Sequence, residues 1–118
     1  MAKIMIVDDA AFMRVTIRKM LLKNGFEVVA EAENGADAVE KYSACMPDVV
    51  TMDITMPVMD GLTALKEIKK INKAAKVVMV SALGQEAMVR DAVMAGAKGF
   101  IVKPYKEETI VATLNKLS

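Results

Sequence analysis

The sequence contains no histidine. That absence removes imidazole as a general base, the Ser-His-Asp arrangement and zinc–histidine sites together. Any chemistry must use carboxylates, hydroxyls and lysines. Cysteine occurs once, as Cys45, which rules out an internal disulfide and a multi-cysteine metal site and suits a reducing compartment. Cys45 itself reads as a packing or incidental residue. Charge of one sign is also lacking: 16 Lys and Arg face 15 Asp and Glu, so nothing pulls the chain strongly toward nucleic acid or a membrane surface. Local patches must select its partners. No apolar run approaches membrane-spanning length, and the N-terminus MAKIMIVDDA meets paired acids before a signal-peptide core can form. A cytoplasmic protein is expected.

What is present is a globular composition. The 118 residues are 54% hydrophobic and 26% charged, enough for one domain with a real core. Apolar runs without polar alternation stand at KIMIV (3–7), VVTM (49–52), KVVMV (76–80) and FIV (100–102), as expected of parallel strands covered on both faces. EVVA (27–30) is shorter and more polar, and is placed at an edge. Helical periodicity fills the gaps. Phe12, Val15, Met20 and Leu21 precede a stop at Asn24-Gly25, and Gly35 to Cys45 carries Ala38, Val39 and Tyr42 on one face. Asp60 is an N-cap for Leu62, Leu65 and Ile68; Gln85 to Ala95 closes at Gly96; Glu107 to Leu117 presents Ile110, Val111 and Leu114. The order is βα five times. The predicted fold is therefore α/β, a doubly wound five-stranded parallel sheet with right-handed crossovers and helices on both faces. The methionines, among them Met5, Met52, Met56 and Met79, are read as gap-fillers of the core and rim.

In such sheets ligands bind beyond the carboxyl ends of the strands. Asp8 and Asp9 follow the first run, Asp53 the third, Ser81 the fourth, and Lys103-Pro104 the fifth. Taken singly, Asp9 reads as an N-cap, Asp53 as a loop residue before Pro57, Ser81 as a turn hydroxyl and Lys103 as a solvated cation. Taken together these readings fail. Two carboxylates about 4 Å apart repel by about 4 kcal/mol at an effective dielectric near 20, and one lysine cannot balance three of them. A divalent cation can. An all-oxygen site of few carboxylates plus water suits magnesium, which in such sites commonly bridges to phosphate. A carboxylate on that metal can act as nucleophile toward a phosphoryl group, with the cation and a lysine offsetting charge on the transferring oxygens. Asp53 is the candidate nucleophile, and Ser81 can donate a hydrogen bond to a phosphoryl oxygen.

VDD at 7–9, MDITMPVMDG at 52–61, SA at 81–82 and KP at 103–104 resemble the receiver domains of two-component response regulators. The match falls in order at the ends of four strands, and the likeness covers the whole chain. The resemblance implies a flavodoxin-like fold with strand order 2-1-3-4-5, the order already known for this family. It further implies that Asp53 takes phosphate from a sensor kinase histidine. Asp8, Asp9, Asp53 and the backbone carbonyl of Thr55 would hold Mg2+. Lys103, ahead of a cis Lys-Pro bond, would pair with the phosphoryl group, and Ser81 would be the switch hydroxyl. Phe100 matches the switch aromatic, whose alternative reading is core packing, and Tyr105 matches the residue after the proline. Thr55 and Leu83 occupy positions that tune phosphate lifetime.

Outside the site, VDDAAFMR, NGFEVVAEAENG and MAGAKGFIVKP resemble the stand-alone chemotaxis receivers of Gram-positive and thermophilic bacteria. That likeness implies a CheA-like kinase as phosphodonor, the flagellar motor switch as target, a phosphatase that ends the signal, and a monomer. The chain stops at Ser118, so a single receiver domain spanning 1–118 without an output domain is expected. The expected output face comprises the fourth helix, fifth strand and start of the fifth helix, with Val89, Arg90, Val93, Phe100 and Lys106 as contacts. Turnover beyond the chain's own phosphotransfer and slow autodephosphorylation is not expected. A phosphorelay intermediate passing phosphate to a phosphotransfer protein is the alternative. A magnesium-dependent phosphatase is disfavoured because Thr55 stands where such enzymes place a second acid. A flavin carrier is disfavoured because the acids would repel an anionic cofactor.

Overall fold

The computed structural model describes residues 2–82 and 84–117. Strands and helices alternate as β1 (Lys3–Val7), α1 (Ala11–Lys23), β2 (Glu27–Ala32), α2 (Gly35–Cys45), β3 (Val49–Asp53), α3 (Gly61–Ile71), β4 (Val77–Ser81), α4 (Glu86–Met94), β5 (Gly99–Val102) and α5 (Glu107–Leu117). All neighbouring strands pair in parallel, in the order β2-β1-β3-β4-β5. The polar second run is thus an edge, two residues longer than expected, and β5 forms the other edge.

Successive strand side chains point to opposite faces, and the core divides accordingly. Met5, Val7, Val50, Met52, Val77 and Met79 meet α2, α3 and α4 through Ala38, Tyr42, Leu65, Ile68 and Ala92. Ile4, Ile6, Val49, Val78 and Ile101 meet α1 and α5 through Ile17, Leu21, Ile110 and Leu114. Each fully buried aliphatic side chain contributes about 1.5–3 kcal/mol relative to exposure. Met5, Met52, Met56 and Met79 are buried, as expected of gap-fillers.

Local signals set most helix ends. Asp60 Oδ1 accepts from Thr63 N at 2.8 Å, capping α3, and Asn34 Oδ1 accepts from Asp37 N at 2.8 Å, capping α2. Gly25 and Gly96, at φ 87° and 107°, supply the left-handed residues that follow α1 and α4. Two sequence readings need correction, those of Phe12 and of Cys45 as a packing residue. Phe12 is 71% exposed, because Ile17 and Leu21 form the buried face of α1. Asp9 caps no helix, in keeping with the rejection of its single-residue reading: Ala10 is the N-cap residue of α1 and makes no side-chain cap. Cys45 is exposed at the end of α2, so packing does not account for it.

Candidate functional site

The register of the sheet assembles the site. Val7 pairs with Met52, so the next residues outward, Asp8 and Asp53, stand side by side. Ser81 pairs with Val102, which brings Lys103 to the same rim. Asp8 N donates to Ala32 O at 3.1 Å, while Asp8 Oδ1 accepts from Ala10 N at 2.9 Å, fixing the carboxylate. Arg14 Nη1 holds the backbone from the other side, donating to Asp8 O at 2.6 Å. Carboxylate oxygens of Asp8, Asp9 and Asp53 all lie within 4.8 Å of one another. Lys103 Nζ is 3.4 Å from Asp8 Oδ2 and 3.6 Å from Asp53 Oδ2.

Burial makes this arrangement electrostatically tense. Asp8 and Asp53 are only 2% and 8% exposed, whereas Asp9 faces solvent. Asp53 is the buried last residue of β3 rather than out in water, and desolvation pushes its carboxyl up to about 6. Lys103 opposes that shift, while the charges of Asp8 and Asp9 add to it. Three carboxylates against one ammonium leave two negative charges uncompensated. The donor set is all oxygen, two carboxylates buried and one open to solvent. That combination fits a small hard divalent cation such as Mg2+, and offers no soft ligand for a transition metal.

The other expected residues divide between this rim and a neighbouring groove. Ser81 is buried, and its carbonyl accepts from Lys103 N at 2.7 Å, tying β4 to the Lys103-Pro104 connection, whose peptide bond is cis. Thr55 is exposed two residues past Asp53. Leu83 lies outside the described residues. Phe100 is 51% exposed, which overturns its reading as core packing: it faces outward from the edge strand. With Val89, Arg90, Val93 and Val102 it lines a mainly apolar groove of about 440 Å³ that reaches Ser81 and Ala82. Lys106 is exposed but does not line this groove. Its carbonyl instead starts α5, accepting from Thr109 N at 3.0 Å and Ile110 N at 3.3 Å.

Sequence reasoning missed three supports of the site. Arg14 anchors Asp8 as described and pairs with Glu31 at 3.6 Å. Gly61 N donates to Ile54 O at 2.6 Å, pinning α3 beneath the β3–α3 connection. Gln85, read only as a helix start, accepts from Ala82 N at 2.6 Å and donates to Thr55 Oγ1 at 2.7 Å. Spacing along the chain carries no signal for Arg14 or Gln85, because both act across connections. Gly61 carried one, as the glycine after a capping aspartate.

The fold and the acidic rim define a class. The model of the response regulator receiver domain matches residues 4–115, and the chain belongs to that family. Within it the chain is similar to chemotaxis proteins. It is 64% identical to the chemotaxis protein CheY of Bacillus subtilis, over 97% of this chain and 95% of that one. It is 55% identical to CheY of Thermotoga maritima, over 98% and 97%. A solved CheX-CheY-BeF3-Mg2+ complex from Borrelia burgdorferi superimposes with a TM-score of 0.93 at 39% identity, covering 98% of this chain and 87% of that one.

Proposed function

We propose that the chain is a stand-alone chemotaxis response regulator that accepts a phosphoryl group on Asp53 from the histidine of a CheA-like kinase. The observation that carries this reading is the rim itself: three carboxylates within 4.8 Å of one another, with Lys103 Nζ bridging two of them. The CheY relatives and the CheY complex with beryllofluoride and magnesium support the same reading.

In the transfer, an Asp53 carboxylate oxygen attacks phosphorus while the bond from phosphorus to the donor imidazole nitrogen breaks. The imidazole leaves with that electron pair and takes up a proton. Asp8, Asp9, Asp53 and the Thr55 carbonyl would hold Mg2+, which offsets charge on the transferring oxygens when bound. Lys103 pairs with a phosphoryl oxygen on the opposite side, and the Ser81 hydroxyl donates to another. The new dianion draws Ser81 inward. Space opens beside Ala82, Phe100 rotates toward it, and the groove between α4 and β5 changes shape. Val89, Arg90 and Val93 then present the altered face to the flagellar motor switch, with Lys106 at its margin. A phosphatase acting on phospho-Asp53 ends the signal, and the regulator works as a monomer in the cytoplasm, without turnover on other substrates.

Acetyl phosphate with Mg2+ tests the assignment directly. Mass spectrometry should find one phosphoryl group on Asp53 of the wild type and none on Asp53→Asn. Labelling of the variant at an undiminished rate would refute the nucleophile.

A further inference from the structure

Gln85 precedes α4 but does not cap it: its side chain makes no bond to that helix. The carboxamide reaches across the site instead. Its Oε1 accepts from Ala82 N at 2.6 Å and its Nε2 donates to Thr55 Oγ1 at 2.7 Å. A backbone N–H can only donate, so the oxygen end of the amide must face Ala82 and the assignment of the two ends is fixed. The register shows what is being tied. Asp53 pairs with Val80, so Thr55 and Ala82 each lie two residues beyond a paired position, past the ends of β3 and β4. The side chain joins the two connections, β3–α3 and β4–α4.

We infer that Gln85 is a positioning residue, a clasp that holds the β4–α4 connection in its unphosphorylated arrangement and must release Ala82 before Ser81 moves inward. The inference rests on the phosphoacceptor reading above. Ala82 directly follows Ser81, so a backbone shift that carries the Ser81 hydroxyl toward a phosphoryl group works against the bond between the Ala82 N–H and an amide anchored on Thr55. Ala82 also lines the groove beside Phe100. Opening the clasp is therefore coupled to the face that reads the signal. A net hydrogen bond is a modest term, and forfeiting it in the resting state alone shifts the equilibrium toward the activated state about fivefold.

Binding of beryllofluoride in the presence of Mg2+, followed by calorimetric titration, tests the clasp. Gln85→Ala should bind about fivefold more tightly than the wild type. Gln85→Met, equal in length but without an amide, should show the same gain and guards against a packing defect in the alanine variant. Thr55→Val should shift affinity in the same direction, and the double variant Gln85→Ala/Thr55→Val should bind no more tightly than Gln85→Ala alone, since both changes cut one link. Wild-type affinity in both Gln85 variants, or fully additive effects in the double variant, would overturn the clasp and leave Asp53 as phosphoacceptor standing. A wild type that takes up no beryllofluoride would overturn the phosphoacceptor reading and the clasp with it.

Discussion

Gly61 backs directly onto Asp53. A methyl group at position 61 would overlap the Asp53 carbonyl oxygen and come within 2.9 Å of the Ile54 Cα, both of them backbone atoms with no room to give. The strand end that carries Asp53 is thus backed by the first residue of α3. Gly61→Ala should destabilise the protein by about 1–3 kcal/mol, the usual range for overpacking. Chemical denaturation gives that number, and labelling by acetyl phosphate should fall with it, because the strand end that carries Asp53 has to shift.

Magnesium should stabilise the folded chain, since it neutralises charge that exists only when the three acids are brought together. At a tenfold excess over its dissociation constant the gain is about 1.4 kcal/mol, read as a rise in the thermal midpoint between EDTA and MgCl2. Asp9→Asn should remove most of that rise. Asp9 is exposed and caps no helix, so the same variant in EDTA should unfold close to the wild type.

Lys103→Ala separates labelling from signalling. Asp53 remains, so some phosphorylation should persist, while the ammonium that bridges Asp8 and Asp53 is gone. The activated chain should lose affinity for its output partner, measured with beryllofluoride bound. Undiminished affinity would show that Lys103 serves only the resting fold.

Tyr105 offers a test at high pH. Its hydroxyl is buried and makes no hydrogen bond, and burial, reinforced by Asp8 and Asp53, pushes its acidity up to about 12 from an ordinary value of 10.0. Between those values the unfolded chain has lost a proton that the folded chain retains, so stability must fall as pH rises from about 10 to about 12. Tyr105→Phe should flatten that decline in urea melts. At neutral pH it should be neutral or stabilising, by up to about 1 kcal/mol, since no partner is lost.

Much of this was open to reading along the chain. Parallel strands covered on both faces announce themselves as unbroken apolar runs, and Asp60 and Gly96 mark helix boundaries by local chemistry that needs no tertiary context. The convergence of Asp8, Asp53 and Lys103 was legible because strand ends in this architecture share one rim. What escaped were features decided by the third dimension. Phe12 fits a helical apolar period, yet the rotation of α1 is set by Ile17 and Leu21 against the sheet. Val58 adopts a positive φ of 68°, a conformation β-branched residues rarely enter, so MPVMDG gave no hint of it. Gln85 looked like any helix start, because its distant partner Thr55 becomes a neighbour only after β3 and β4 pair.

The position of Cys45 has a practical outcome. Its thiol is exposed at the last residue of α2, and no other cysteine competes for reagent. Since α2 begins just past the outer end of β2 and runs back antiparallel to the strands, that thiol sits toward the opposite pole from Asp53. A maleimide dye placed there would report tumbling, or proximity to a tagged partner, in real time while leaving the acidic rim untouched.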